Sequence, residues 1–159
     1  MLKYIKTLPT LLLISLTFTA CSQQIKQDTT VKVSEKQTCT CQNMTGEWLN
    51  PSGSVLVIEK VDKTGSIKGH YLSSLGTDGQ RFPLIGWVNQ KPYEAERDNT
   101  VAISFSVRWG EYGSITSWTG YCKNINDIPT IQTSWHLVRP VTDESYEHIL
   151  TGGYPFVPK

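Results

Sequence analysis

The chain carries no surplus of charge: 15 Lys and Arg against 14 Asp and Glu leave a net +1 over 159 residues. Its basic residues are scattered rather than gathered into a stripe. That removes the electrostatic ground for nucleic acid or an acidic substrate as partner. Long apolar runs are missing too. The run from Leu8 to Ala20 is short and broken by Pro9, too short for a stable bilayer span. No stretch sustains helical periodicity, apart from one turn around Asp143 to Tyr146. Cysteine is limited to Cys21, Cys39, Cys41 and Cys122. The Cys-Thr-Cys spacing of Cys39 and Cys41 has no second Cys or His pair to complete a metal site, so no metal is expected. His70, His136 and His148 stand beside nothing that resembles a catalytic partner. Without paired carboxylates or a nucleophile–base pair, the chain reads as a non-enzyme without cofactor.

What is present begins with a targeting segment over residues 1–21. Lys3 and Lys6 supply a positive start, and the apolar run follows. It ends in Phe18-Thr19-Ala20-Cys21, which resembles a bacterial lipobox, with Phe18 where Leu is usual. Export is expected, to a secreted, periplasmic or outer-membrane lipoprotein destination. Cys21 is a candidate for lipidation, which would tether the domain to a membrane without spanning it. The alternative is an ordinary cleavage site nearby and an incidental thiol. Residues 22–40 are polar, rich in Gln, Lys and Thr, and read as a flexible linker unable to bury enough apolar surface to order itself. Residues 41–159 form one domain large enough for a real core.

That domain reads as short strands separated by turn signals. Val101, Ile103, Phe105, Val107 and Trp109 face one way, while Ser104 and Ser106 face the other. The expected strands are Gly46–Asn50, Ser54–Val61, Ser66–Ser73, Phe82–Val88, Thr100–Trp109, Ser114–Cys122, Ile128–Val138 and His148–Val157. Such a series predicts an all-β, eight-stranded antiparallel up-and-down β-barrel, which removes edges by closing. A barrel of that size can hold one small ligand. Five Trp and seven Tyr suit an aromatic-lined pocket.

The first strand carries the most informative pattern. Gly46-Glu47-Trp48-Leu49-Asn50 is followed at once by Pro51-Ser52-Gly53-Ser54. On an alternating strand Trp48 and Asn50 share a face. A polar amide then lies beside a tryptophan, with a Ser hydroxyl returning across the turn. An unpaired buried amide costs about 1–3 kcal/mol, so Asn50 fits the polar end of a ligand cavity better than a plain core. The bland alternative is a surface turn in which Asn50 and Ser54 only cap backbone.

Further segments follow in order: Gly69-His70-Tyr71-Leu72-Ser73, Phe105-Ser106-Val107-Arg108-Trp109, Ser114-Ile115-Thr116-Ser117-Trp118-Thr119-Gly120 and Thr133-Ser134-Trp135-His136-Leu137. In sequence and spacing, from Thr45 to Phe156, these segments resemble the avidin and streptavidin family of biotin-binding proteins. The resemblance implies a non-catalytic barrel that holds biotin. Asn50, Ser54 and Tyr71 would donate hydrogen bonds to the ureido oxygen, a preorganised donor set akin to an oxyanion hole. Thr116 would accept from one ureido N–H or touch the sulfur, and Ser73 would accept from the other. Trp109, Trp118 and Trp135, with Leu137, would wall the ring and its tail. Ser114 would sit at the mouth, and the loop Leu75-Gly76-Thr77 would close over the carboxylate, with Thr77 as a contact. Trp48 reads as core, and Glu47 and Arg81 as an ion pair or solvated charges.

Two departures stand out. The family usually places Asp or Asn near the end of the last strand to accept a ureido N–H, and here Tyr154 takes that position. The Trp that a neighbouring subunit lends to the pocket corresponds to Tyr146 here, a residue that would bridge subunits of a homo-oligomer, tetramer or dimer. Biotin binding weaker than the family's best is therefore expected. The resemblance also implies a disulfide between Cys41 and Cys122, with Cys39–Cys122 the alternative. Two other functions fit the same barrel: binding of another small apolar ligand, or an envelope interaction protein with a filled interior.

Overall fold

The computed structural model describes residues 39–75, 77, 79–90 and 97–159. The targeting segment with Cys21, most of the expected linker and Gly76 of the mouth loop lie outside the described residues. The eight strands are β1 (Gly46–Leu49), β2 (Val55–Val61), β3 (Ser66–Leu72), β4 (Arg81–Asn89), β5 (Val101–Arg108), β6 (Ile115–Ile125), β7 (Ile128–Val138) and β8 (Ile149–Pro158). Each pairs antiparallel with its sequence neighbour. The barrel closes where β1 meets β8 through Trp48↔Pro158 and Leu49↔Val157. This is the up-and-down barrel that the strand series predicts.

Alternation decides which side chains enter. Along β5, Ile103, Phe105 and Val107 are buried, whereas Ala102 and Ser104 are exposed. On β4, Phe82, Leu84, Gly86 and Val88 point in between exposed neighbours. The turns are written in residues that tolerate them. Asp62 Oδ1 accepts from the Thr64 and Ser66 backbone N–H groups at 2.8 and 3.0 Å. Asn126 and Asp127 both take positive φ, at 49° and 64°, the conformation of a two-residue hairpin turn. This turn lets β6 run to Ile125, three residues past the Cys122 end expected from sequence. Lys123 and Asn124 hide that extension, because their polarity resembles a loop.

Leu56, Ile58, Ile67, Phe105, Ile131 and Phe156 belong to the buried core of the barrel. Trp48 is fully buried among them, and its indole N–H donates to the Met44 carbonyl at 2.8 Å. It is core, as its position predicts. A Cβ at Gly69 would lie 1.9 Å from the Val57 carbonyl oxygen. Only glycine lets β3 approach β2 this closely, beside the irregularity between Ile58 and Lys60. Glu47 pairs with Lys159 at 2.8 Å rather than with Arg81. That hydrogen bond lowers the Glu47 carboxyl below its usual range, and Arg81 adds only a more distant attraction.

Cys41 and Cys122 form a disulfide, with Cα atoms 5.4 Å apart, pinning the segment before β1 to β6. Cys39, at the end of the expected linker, is buried in the same core. Its thiol contacts the Glu47 carbonyl at 3.6 Å.

Candidate functional site

The connections β1–β2, β3–β4, β5–β6 and β7–β8 all meet at one end of the barrel, by antiparallel order. Asn50 and Ser54 stand there, both buried. The Asn50 side chain does two things at once. Its Oδ1 accepts from the Ser52 N–H at 3.1 Å, the Ser52 hydroxyl at 2.8 Å and the Ser54 N–H at 2.9 Å. With its acceptor thus used, its Nδ2 faces the barrel and lies 3.4 Å from the Tyr71 hydroxyl. The turn-cap reading of Asn50 is met by its carbonyl oxygen, and its amide N–H remains a donor on the barrel side. Gly53, at φ 86°, supplies the left-handed step the turn requires.

Ser54 is oriented by Ser74. The Ser74 N–H reaches the Ser54 Oγ at 3.1 Å, and the two hydroxyls are 3.1 Å apart. Sequence reasoning missed Ser74 because alternation assigned the inner face to Ser73. β3 ends at Leu72, so alternation no longer governs either residue. The Ser73 hydroxyl instead accepts from the Leu75 N–H at 3.1 Å, and the Thr77 hydroxyl donates to the Ser73 carbonyl at 3.1 Å. These bonds fold the β3–β4 connection back on itself. Thr77 is buried, while Leu75 is 73% exposed at the rim.

Tyr71 connects the polar end to an aromatic wall. Its ring stacks on Trp118 at 5.2 Å and meets Trp109 edge-on at 5.7 Å. Phe105 lies nearly parallel behind Trp118 at 4.9 Å, and Phe82 braces Trp109 at 4.9 Å. The Trp109 indole N–H donates to the Thr116 hydroxyl at 2.7 Å, which leaves Thr116 a proton to donate or a lone pair to offer. Ser114 stands next to the mouth, its hydroxyl directed at the Tyr112 carbonyl at 3.3 Å. Leu137 and Trp135 continue the wall on β7.

Burial pushes the Tyr71 phenol above its usual value, with the Ser54 hydrogen bond opposing and the nearby Tyr154 phenol adding to the rise. The folded state thus holds this proton more tightly than the unfolded chain. Its contribution to stability is complete below the ordinary tyrosine pKa of about 10 and is lost as pH climbs beyond that value. Tyr71 is a neutral donor throughout the neutral range. Ligand binding at this site is expected to be flat from about pH 6 to 9 and to fall above about pH 10. A fluorescence titration across that range checks this, and a step near pH 6.5 would implicate a group other than Tyr71.

On the neighbouring strand β8, Gly152 is the register partner of Trp135. A Cβ there would lie 2.4 Å from the indole Cζ2, so the ring lies flat over the glycine. Gly152 is a second residue that sequence reasoning passed over, since nothing in a Gly-Gly pair signals a seat for an aromatic ring. Gly152→Ala is expected to displace Trp135 and weaken ligand binding by about tenfold or more, on the scale of an overpacked site. Calorimetry on the variant, with its melting curve as a folding control, checks this. Unchanged affinity would remove Trp135 from the site.

The fold and this site define a class: a closed up-and-down barrel whose one end gathers neutral polar side chains backed by tryptophans. Comparisons with known proteins give the family. The model of the Avidin family matches residues 38–159, and the chain belongs to that family. Avidin-related protein 4/5 of Gallus gallus is 29% identical over 109 residues, covering 66% of this chain and 69% of that protein. Afifavidin of Afifella pfennigii is 28% identical over 99 residues, or 59% of this chain and 57% of that protein. The crystal structure of Xenavidin superposes with a TM-score of 0.62 at 26% identity, covering 76% of this chain and 100% of that one.

Proposed function

We propose that this protein binds biotin inside the barrel and performs no chemistry on it. The observation that carries the reading is the convergence of Asn50 Nδ2, the Tyr71 hydroxyl and the Ser54 hydroxyl at the barrel's polar end. Three neutral donors, each held by other bonds, suit a carbonyl oxygen with partial negative charge. Reorganisation on binding is small, because the turn and the Ser54–Ser74 bonds already fix two of them. Ser73 and Thr116 serve the ring, Trp109, Trp118, Trp135 and Leu137 its apolar surface, and Ser114, Leu75 and Thr77 the carboxylate tail. A ligand bound only to the folded state raises stability by about 2.7 kcal/mol at a hundredfold excess over Kd. A thermal-shift titration with biotin is expected to show a saturable rise, and a flat response would contradict the proposal.

The presence of Tyr154 favours a second reading, a barrel that prefers another small apolar ligand. Competition separates the two readings. The preferred ligand would then resist displacement by biotin.

Assembly as a homo-oligomer belongs to the same proposal. Tyr146 is 78% exposed on the β7–β8 connection. Ile115, Val138 and Ile149 form a row of exposed apolar side chains across β6, β7 and β8. Both features suit burial against a second copy, with Tyr146 lent to its pocket. Tyr146→Ala is expected to weaken biotin binding several-fold without altering the barrel, read by light scattering together with calorimetry. A monomeric mass would remove the bridging role. Export and a lipid tether at Cys21 complete the proposal, and mass spectrometry of the mature N-terminus tests both.

A further inference from the structure

A groove of about 520 Å³ lies beside the mouth. Gln80 and Arg81, where the β3–β4 connection enters β4, line one side. Arg108 at the end of β5, with Glu111 and Tyr112 of the β5–β6 connection, lines the other. Arg81 and Arg108 are exposed next to buried Phe82 and Val107, so both side chains leave from the outer face of their strands. Among the described residues neither arginine joins an ion pair. Glu111 is the single carboxylate among the described lining residues, so two guanidinium groups leave the groove net positive.

Groove and site are built on the same two connections. The Gln80 N–H donates to the Thr77 carbonyl at 2.8 Å. The Ser114 hydroxyl donates to the Tyr112 carbonyl at 3.3 Å. Phe82, which lines the groove, braces Trp109 at 4.9 Å and meets Tyr112 at 6.2 Å. Thr77 and Ser114, with Leu75, are the residues to which the ligand's tail is assigned above. None of the three carries a charge. A neutral amide therefore meets them as readily as a carboxylate does, and the positive charge stands one step further out.

We propose that Arg81 and Arg108 form an outer subsite for a carboxylate carried beyond the ligand's own carboxyl group. The protein then takes biotin joined by an amide to an amino acid with a free carboxylate. The proposal rests on the biotin reading and deepens it by naming the form of the ligand. Guanidinium groups suit this partner, since their planar N–H donors match the two oxygens of a carboxylate. The pocket holds the ring, the neutral mouth passes the amide, and the arginines hold the acid.

The test uses two conjugates that differ in one group. In the first, biotin is amide-linked to the side chain of Nα-acetyl-lysine. In the second, the α-carboxylate of the same molecule is replaced by a carboxamide. Calorimetry on the full chain is expected to show the acid binding at least about threefold more tightly than the amide at low salt, the scale of an ion pair open to solvent. At about 1 M salt, where charges act over about 3 Å, the two are expected to bind about equally. In the double variant Arg81→Gln and Arg108→Gln, with its melting curve as a folding control, the preference is expected to vanish at low salt too. Each single variant is expected to lose part of it, should the double variant fail to melt cooperatively. Equal binding of the two conjugates to the wild type at low salt would overturn the proposal. So would a preference that neither salt nor the variants reduce. Binding of free biotin with exclusion of both conjugates would also overturn it, by showing that the mouth does not lead to the groove. Failure of free biotin itself to bind would overturn the biotin reading as well, an outcome distinct from the others.

Discussion

Replacing Asn50 by aspartate is expected to abolish most biotin binding while leaving the barrel folded. The carbonyl side of Asn50 holds the Ser52 and Ser54 groups together, and a carboxylate keeps an acceptor there. The amide side, directed at the Tyr71 hydroxyl at 3.4 Å, is the donor that the proposal assigns to the ligand, and in Asn50→Asp an anion replaces it. A negative charge facing a carbonyl oxygen in a low-dielectric pocket is repulsive as well as unpaired. Loss of the donor alone is worth about 1–3 kcal/mol, and the repulsion adds to it. The expected weakening is therefore at least about a hundredfold. Asn50→Ala removes both functions. It is expected to bind about 10- to 100-fold more weakly and also to lose about 1–3 kcal/mol of stability, since the N–H groups of Ser52 and Ser54 lose their acceptor. Calorimetry and thermal melting on both variants separate the roles. If Asn50→Asp bound like wild type, the amide would be a turn cap and nothing more.

Reduction of the Cys41–Cys122 disulfide is expected to give the largest loss of stability. The bridge closes a loop with a sequence separation of 81 residues. On the chain-entropy model a loop of that length is worth about 4–5 kcal/mol, an amount comparable with the whole stability of many domains. For a domain of this size the melting temperature is expected to drop by roughly 10–20 °C. Cys122→Ser alone should reproduce most of the drop. Calorimetric melting with and without reductant measures it. A shift of about 2 °C or less would show that the segment before β1 contributes little to the closed barrel.

The barrel was legible in the sequence because each inner face is written in period two. Ile103, Phe105 and Val107 on β5 need no tertiary information to be placed inward. Trp48 followed from the same rule. Inward placement of the candidate site residues was legible where they sit on strands, as with Tyr71, Thr116, Trp118 and Trp135. It was less so on the connections. Ser73 and Ser74 follow the end of β3, where alternation stops, and only the bonds to Leu75 and to Ser54 show which hydroxyl turns where. Asn50 shows a third case. Sequence offered cap or donor as alternatives, and the amide's two ends allow both. Gly152 was illegible for a different reason, since its role belongs to the ring of Trp135 that lies over it. The Glu47–Lys159 pair joins residues 112 positions apart, and such a long-range partner is invisible before closure is known.

Titration calorimetry of the wild-type protein with biotin tests the central claim most directly. The account predicts saturable binding at one biotin per chain, abolished in Asn50→Asp with the melting curve preserved. Absence of heat together with absence of any thermal shift would contradict it, and would mean that these donors serve the fold or a different ligand.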